Sequence, residues 1–146
     1  ASIVASGDGY AVAWIDSENG RVRFARLDAS GARRGAATIV HEGLEAPQSA
    51  RLLANGREFA VAVALWHGVY FARINAQGER QGDGNVLAED QSVRSIDELR
   101  VDGANYGLGW TEDHNGQPVR VHQRVSGAGR VQAQVVGSRR STRRVM

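Results

Sequence analysis

The landmarks of this chain return about every 48 residues, and that self-similarity limits its possible folds more than any other feature. Gly7, Gly56 and Gly103 recur at intervals of 49 and 47, Tyr10, Phe59 and Tyr106 at the same intervals, and Gly20, Gly68 and Gly116 at 48 and 48. Trp14 and Trp110 are 96 residues apart, although Val63 holds that position in the middle copy and Trp66 follows three residues later. A period of this size marks stacked supersecondary units, none of which can bury its apolar face alone. The copies span approximately 1–47, 48–95 and 96–138, one repeat domain in a chain of 146 residues.

Each copy reads as four short strands. The first is 2–5, 51–54 or 98–101, followed by a tight turn at Ser6-Gly7, Asn55-Gly56 or Asp102-Gly103. The second is 10–15, 59–65 or 106–110, and leads to a turn at Asn19-Gly20, His67-Gly68 or Asn115-Gly116, where glycine tolerates the positive φ of a tight hairpin. The third is RVRFARLD, GVYFARIN or PVRVHQRV, and the fourth is 38–40, 85–87 or 134–136. The chain is thus a train of antiparallel meanders.

The second strands state how the meanders pack. Tyr10, Val12 and Trp14 alternate with Ala11, Ala13 and Ile15; Phe59, Val61, Val63 and Leu65 with Ala60, Ala62 and Ala64; Tyr106, Leu108 and Trp110 with Gly107 and Gly109. Large residues line one face and small residues the other, so neither face is built for water, and such strands are buried on both sides. Sheets stacked bulky face on small face satisfy this pattern, which is that of propeller-type four-stranded blades. Tyr10, Trp14, Phe59, Val61, Tyr106 and Trp110 are the expected core, and Trp14→Ala is expected to cost roughly 3–5 kcal/mol.

The segment GDGYAVAWIDSENGRVRFARLDASGARRG resembles the repeat unit of bacterial β-propeller-like repeat proteins, with its Gly-Asp-Gly-aromatic turn, Val-x-Trp strand and Arg-Leu-Asp-Ala-x-Gly hairpin. The likeness covers 1–138. Copy two keeps FARINAQGERQG without the strand-two Trp, and copy three degrades to HQRVSGAGR with a one-residue slip in strand three. The resemblance implies an architecture found in adhesins, surface proteins and secreted proteins, hence a secreted or cell-surface setting; it implies no particular activity. Propellers close with four to eight blades, so three copies are part of, or assemble into, a larger β-propeller: a homo-dimer of six blades if the polypeptide is complete, a covalent continuation if it is a fragment. A start at Ala1 is what removal of a leader, a tag or a preceding region leaves. The competing fold is a β-trefoil, which also has three four-stranded repeats; its single barrel interior does not suit strands that are apolar on both faces.

Composition removes several function classes. Without cysteine there is no disulfide framework and no thiolate nucleophile. No apolar run approaches the ~18 residues of a membrane-spanning helix. The net charge of +2 belongs to the end of the chain: all 16 acidic residues lie at or before Asp113, whereas Arg139, Arg140, Arg143 and Arg144 follow, leaving 14 basic against 16 acidic residues in 1–138. Residues 139–146 read as a basic flexible tail. With no lysine and no basic face interleaved with aromatics, nucleic acid is not an expected partner.

Candidate chemistry is sparse. No nucleophile elbow, phosphate-binding loop or dinucleotide fingerprint is present, the four histidines show no metal-ligand spacing, and no catalytic residue, metal site or cofactor is assigned. Trp66 and His67 fall at a hairpin tip, where burial is not forced, so Trp66 is the aromatic best placed to meet a ligand. The tips between strands two and three are acidic in the outer copies, with Asp16 and Glu18 in one and Glu112 and Asp113 in the other; they complete the candidate ligand-binding set, although neither has the alternating oxygen series of a calcium loop. Arg26, Arg73 and Arg124 recur at the end of strand three, and such repetition indicates a structural bond between blades. The reading is a non-enzymatic, lectin-like binding module that recognises a protein or carbohydrate partner. The rival is a glycan-processing hydrolase, whose signature is acids converging in a central cavity.

Overall fold

The computed structural model describes residues 1–43, 46–137 and 139–141, with the backbone alone at 133 and 139–141. Short alternating runs separated by glycine turns can form local hairpins and little else, and the described residues contain thirteen strands and no helix. The strands are β1 (Ser2–Ser6), β2 (Gly9–Asp16), β3 (Arg21–Leu27), β4 (Arg33–Glu42), β5 (Pro47–Ala54), β6 (Glu58–Leu65), β7 (Gly68–Asn75), β8 (Arg80–Glu89), β9 (Val93–Asp102), β10 (Asn105–His114), β11 (Gln117–Val125), β12 (Val131–Val136) and β13 (Arg139–Ser141). They form three antiparallel sheets in the orders β1-β2-β3-β4, β5-β6-β7-β8 and β9-β10-β11-β12-β13. Each strand pairs only within its own copy, so the shared barrel of a trefoil is not formed. The third sheet runs past 138, because β13 pairs with β12 through Gln134–Ser141 and Val136–Arg139; the rest of the basic tail, 142–146, lies outside the described residues.

Register repeats with the sequence. Ala13 stands opposite Phe24, Ala62 opposite Phe71 and Gly109 opposite His122; one step along, Ala11, Ala60 and Gly107 stand opposite Arg26, Arg73 and Arg124. The turns after β3, β7 and β11 share one geometry: the amides of Gly31, Gly78 and Gly129 bond the carbonyls of Asp28, Asn75 and Ser126 at 3.0, 2.9 and 2.8 Å. Those three glycines have φ of 88°, 90° and 83°, a left-handed conformation costly for any residue with a Cβ. Gly68 is different. It opens β7 without a positive φ, and a Cβ there would lie 2.6 Å from the Ala88 carbonyl oxygen, so close backbone approach, and not the turn, requires glycine.

Two apolar cores lie between the sheets. Phe59, Val61, Val63 and Leu65 of β6 bury against Ala11, Ala13, Val22 and Phe24 of the first sheet. On the other side of β6, Ala60, Ala62 and Ala64, with Val69 and Phe71, receive Tyr106, Leu108 and Trp110 of the third sheet. Bulky face meets small face at both junctions, and the rings meet at the centre: Phe24 with Phe59 at 5.0 Å and Phe71 with Tyr106 at 5.4 Å between centroids. The middle sheet is therefore covered on both sides.

Among the described residues, sheets one and three each have one face that no other sheet covers, and there the expected core is corrected. Tyr10 is 43% exposed and Trp14 is half-buried, because the bulky face of β2 has no sheet against it; the Arg33 guanidinium lies 5.9 Å from the Trp14 ring centroid. Phe59, Val61, Tyr106 and Trp110 are buried as expected. The open face of the third sheet is polar: Gly107 and Gly109 are buried beneath a rim that includes Glu98, Arg100, Arg120, His122 and Arg124. Burial on both faces, expected of the second strands, therefore holds for β6 and for residues 106–110 of β10 and fails for β2; beside β10, β11 alternates buried Val121, Gln123 and Val125 with exposed Arg120, His122 and Arg124.

Candidate functional site

The β2–β3, β6–β7 and β10–β11 hairpins carry all six candidate ligand-binding residues, three of them, Asp16, Glu112 and Asp113, within strands. In the first tip Asp16 Oδ2 accepts from Asn19 Nδ2 at 2.9 Å and from Arg23 Nε at 3.1 Å. Those bonds, Asn19 first and Arg23 second, hold the carboxyl below the usual aspartate range. Both donors satisfy the carboxylate from within its own hairpin. Glu18 is exposed at the same tip.

The second tip presents an aromatic to solvent. Trp66 is 60% exposed and meets the His67 ring edge-on, at 6.3 Å and 86°. Its backbone is fixed: the amide of Gln91 bonds the His67 carbonyl at 3.2 Å, and that of Val93 reaches the Trp66 carbonyl at 3.5 Å. The connection from β8 to β9 thus braces the tip, and a large apolar ring is held in water at a defined place.

The third tip differs from its sequence reading. β10 continues four residues beyond Trp110, so Glu112 lies on the same inward face as Trp110, two residues on. It is fully buried, and its carboxylate accepts from Trp110 Nε1 at 2.8 Å and bonds His114 Nε2 at 2.7 Å. A carboxyl group buried this deeply requires such partners. Glu112 therefore ties the indole to the tip and is not presented to a ligand. Asp113 is half-buried and pairs with Arg94 at 3.3 Å.

The second sheet stands between the tip that carries Asp16 and Glu18 and the one that carries Glu112 and Asp113, so the candidate acids do not form one cluster. Among the described residues no group of three or more His, Asp or Glu side chains is arranged to hold a metal.

Bonds between sheets use the repeated arginines. Arg26 Nη1 donates across the first junction to the Ala76 carbonyl at 3.2 Å, and Arg73 Nη1 across the second to the Gly127 carbonyl at 2.6 Å. Arg124, with no further described sheet beyond it, pairs with Asp102 at 2.8 Å. In the opposite direction Arg80 donates to the Val40 carbonyl at 3.3 Å and Gln134 to the Leu87 carbonyl at 3.0 Å.

A polar cluster that the sequence did not single out borders the second junction. The Tyr106 hydroxyl donates to Glu58 Oε2 at 2.5 Å and accepts from Asn55 Nδ2 at 2.8 Å, while Arg73 approaches Glu58 at 3.5 Å. Burial first, and then the hydrogen bond to Glu58, push the Tyr106 phenol above its ordinary range. The signal was available in part, since Arg73 repeats; its partner Glu58 has Gly9 and Asn105 at the equivalent positions and so carried no repeat signature. A cavity of about 260 Å³ adjoins this cluster, and one of about 380 Å³ lies over Gly107 on the open face of the third sheet.

No family model matches the chain, and comparison with characterised proteins finds no significant match.

Proposed function

We propose that the three stacked sheets are blades of a β-propeller-type ring, of the kind found in bacterial propeller-like repeat proteins, and that the chain is a non-enzymatic binding module. Support for the blade reading comes from the two junctions, which repeat the same ring pair, the same arginine-to-carbonyl bond and the same bulky-on-small packing. Sheets stacked in this way leave their hairpin tips along the edges, where a partner can reach them.

The observation that carries the binding function is Trp66. An indole 60% exposed on a hairpin with a braced backbone offers a broad apolar face and an N–H donor, suited to stacking on the apolar face of a sugar ring or to filling a pocket on a protein surface. The buried tryptophan of the third sheet does neither, being committed to Glu112.

The test is a titration of intrinsic tryptophan emission with a panel of neutral mono- and disaccharides, with Trp66→Ala as control. A saturable change is expected for at least one sugar class in the native chain, and its loss in Trp66→Ala with an unchanged β-type circular dichroism spectrum. A response that survives the substitution would remove Trp66 from the site, and no response to any sugar would leave a protein surface as the partner.

A further inference from the structure

The two open faces are the two halves of a junction the chain already forms twice. Each junction has three repeating parts. A ring on the small face meets a ring on the bulky face: Phe24 with Phe59, then Phe71 with Tyr106. An arginine one step along donates to a turn carbonyl of the next sheet: Arg26 to Ala76, then Arg73 to Gly127. A glycine in that turn makes room for the guanidinium, since a Cβ on Gly78 would lie 3.1 Å from Arg26 Nε and one on Gly129 3.2 Å from Arg73 Nε.

All these parts are present on the outer faces of the first and third sheets, with no other sheet opposite among the described residues. On the third sheet His122 occupies the register position of Phe24 and Phe71, and Arg124 that of Arg26 and Arg73. Asp102 stands where Asn55 bonds the Tyr106 hydroxyl at the second junction. On the first sheet Tyr10 is the counterpart of Phe59 and Tyr106. The turn Asp28-Ala29-Ser30-Gly31 has the backbone bond and glycine conformation of the two turns that already receive an arginine, yet nothing lies within 4 Å of a Cβ placed on Gly31. Arg33, the register counterpart of the cross-junction donor Arg80, is stacked over Trp14.

We propose that a second copy of this chain docks head to tail on these faces, and that two copies close a ring of six sheets. The inference rests on the blade reading and names what completes it. Tyr10 of one copy packs on His122 of the other and directs its hydroxyl to Asp102, while Arg124 leaves Asp102 for the Ala29 carbonyl beside Gly31. Continuity with the junctions inside the chain selects this occupant over an unrelated protein, because the receiving turn and the donor already match. A head-to-tail contact closes when the rotation per unit allows it, and six blades lie inside the common range of four to eight. Arg100 and Arg120, whose register counterparts on the interior small faces are the apolar Val4 and Leu53, and Val22 and Val69, keep the face solvated before docking and make this junction weaker than the covalently linked ones.

The experiment is light scattering across the micromolar range on the native chain, on Tyr10→Asp, on Arg124→Glu and on an equimolar mixture of the two variants. Both substituted side chains are exposed, so folding is retained, which a β-type dichroism spectrum checks. The native chain is expected to reach twice its mass of 15.7 kDa, each variant to remain at that mass, and the mixture to regain association through its one undamaged junction. A native chain that stays monomeric overturns the proposal. So does association that both variants retain, a mixture that fails to associate, or a mass that climbs past the dimer. The sugar response of Trp66 reads a hairpin tip and not these faces, so a monomer that keeps that response would sink the ring alone.

Discussion

Trp14 and Trp110 hold the same place in the repeat, but a sheet covers only the second, which also bonds a buried acid. Replacing each with alanine therefore measures what the cover and that bond contribute together. Trp110 is fully buried, and large aromatic truncations in such sites cost about 3–5 kcal/mol. The same change removes the indole donor from the buried Glu112 carboxylate, which adds about 1–3 kcal/mol for a polar group left partly unsatisfied. Trp110→Ala is expected to cost about 5 kcal/mol, a large fraction of the ~5–15 kcal/mol of a domain. Trp14 already faces water on one side, so its removal leaves no closed cavity. About 100 Å² of lost apolar cover at 25 cal/mol per Å² gives roughly 2.5 kcal/mol, within which the contact with Arg33 is small. This replaces the expectation of roughly 3–5 kcal/mol that repeat equivalence alone suggested. Urea unfolding followed by far-ultraviolet dichroism at submicromolar protein keeps any association out of the measurement. Trp110→Phe, which keeps most of the ring and loses the N–H, is a milder third variant expected to cost about 1.5–3 kcal/mol. Equal losses for the two alanine variants in dilute solution would refute the assignment of Trp14 to an open face.

Three further outcomes are expected. Tyr106 holds its proton more tightly folded than unfolded, so its contribution is complete below the ordinary tyrosine value of 10.0 and is lost as pH rises beyond it. The native chain should therefore lose up to about 1.4 kcal/mol per pH unit more than Tyr106→Phe does, and parallel alkaline profiles in urea titrations would contradict this. Millimolar calcium should leave the melting temperature unchanged, because Asp16 is engaged by Asn19 and Arg23, Glu112 is buried and Asp113 is paired with Arg94; a clear rise would return these acids to the ligand set. Arg73→Met should destabilise the chain more than Arg124→Met in dilute solution, since only Arg73 bonds a neighbouring sheet, and calorimetry showing the reverse would remove the bond to the Gly127 carbonyl from the account.

Much of the fold was legible because its information is local. Glycine turns and two-residue alternation name the strands of each copy, and the large and small faces of β6 name its two neighbours. What failed was the assumption that equivalent positions share an environment. Tyr10 and Trp14 match buried residues in sequence yet belong to the first sheet, whose outer side has no neighbour. The departure of the third copy's strand three from the repeat is an ordered substitution: Arg120 and His122 stand on an open face beside the repeated Arg124, with Val121, Gln123 and Val125 kept inward. Glu112 follows the same alternation, two residues beyond Trp110, but a strand expected to stop at 110 puts the acid at the hairpin tip, whereas β10 runs on to His114. At Trp66 a local rule sufficed, since a hairpin tip needs no neighbouring sheet to define its exposure.

The strand order in each sheet also governs how the molecule is made. Every pairing joins consecutive strands, and the short separations in sequence keep loop closure cheap and hairpin formation fast. During synthesis the first sheet has all four of its strands once Glu42 has emerged, with the face of Ala11 and Ala13 ready before β6 exists. Assembly can then proceed outward from the amino terminus, each finished sheet serving as the template on which its successor condenses, and no strand has to wait for a partner from the far end of the polypeptide.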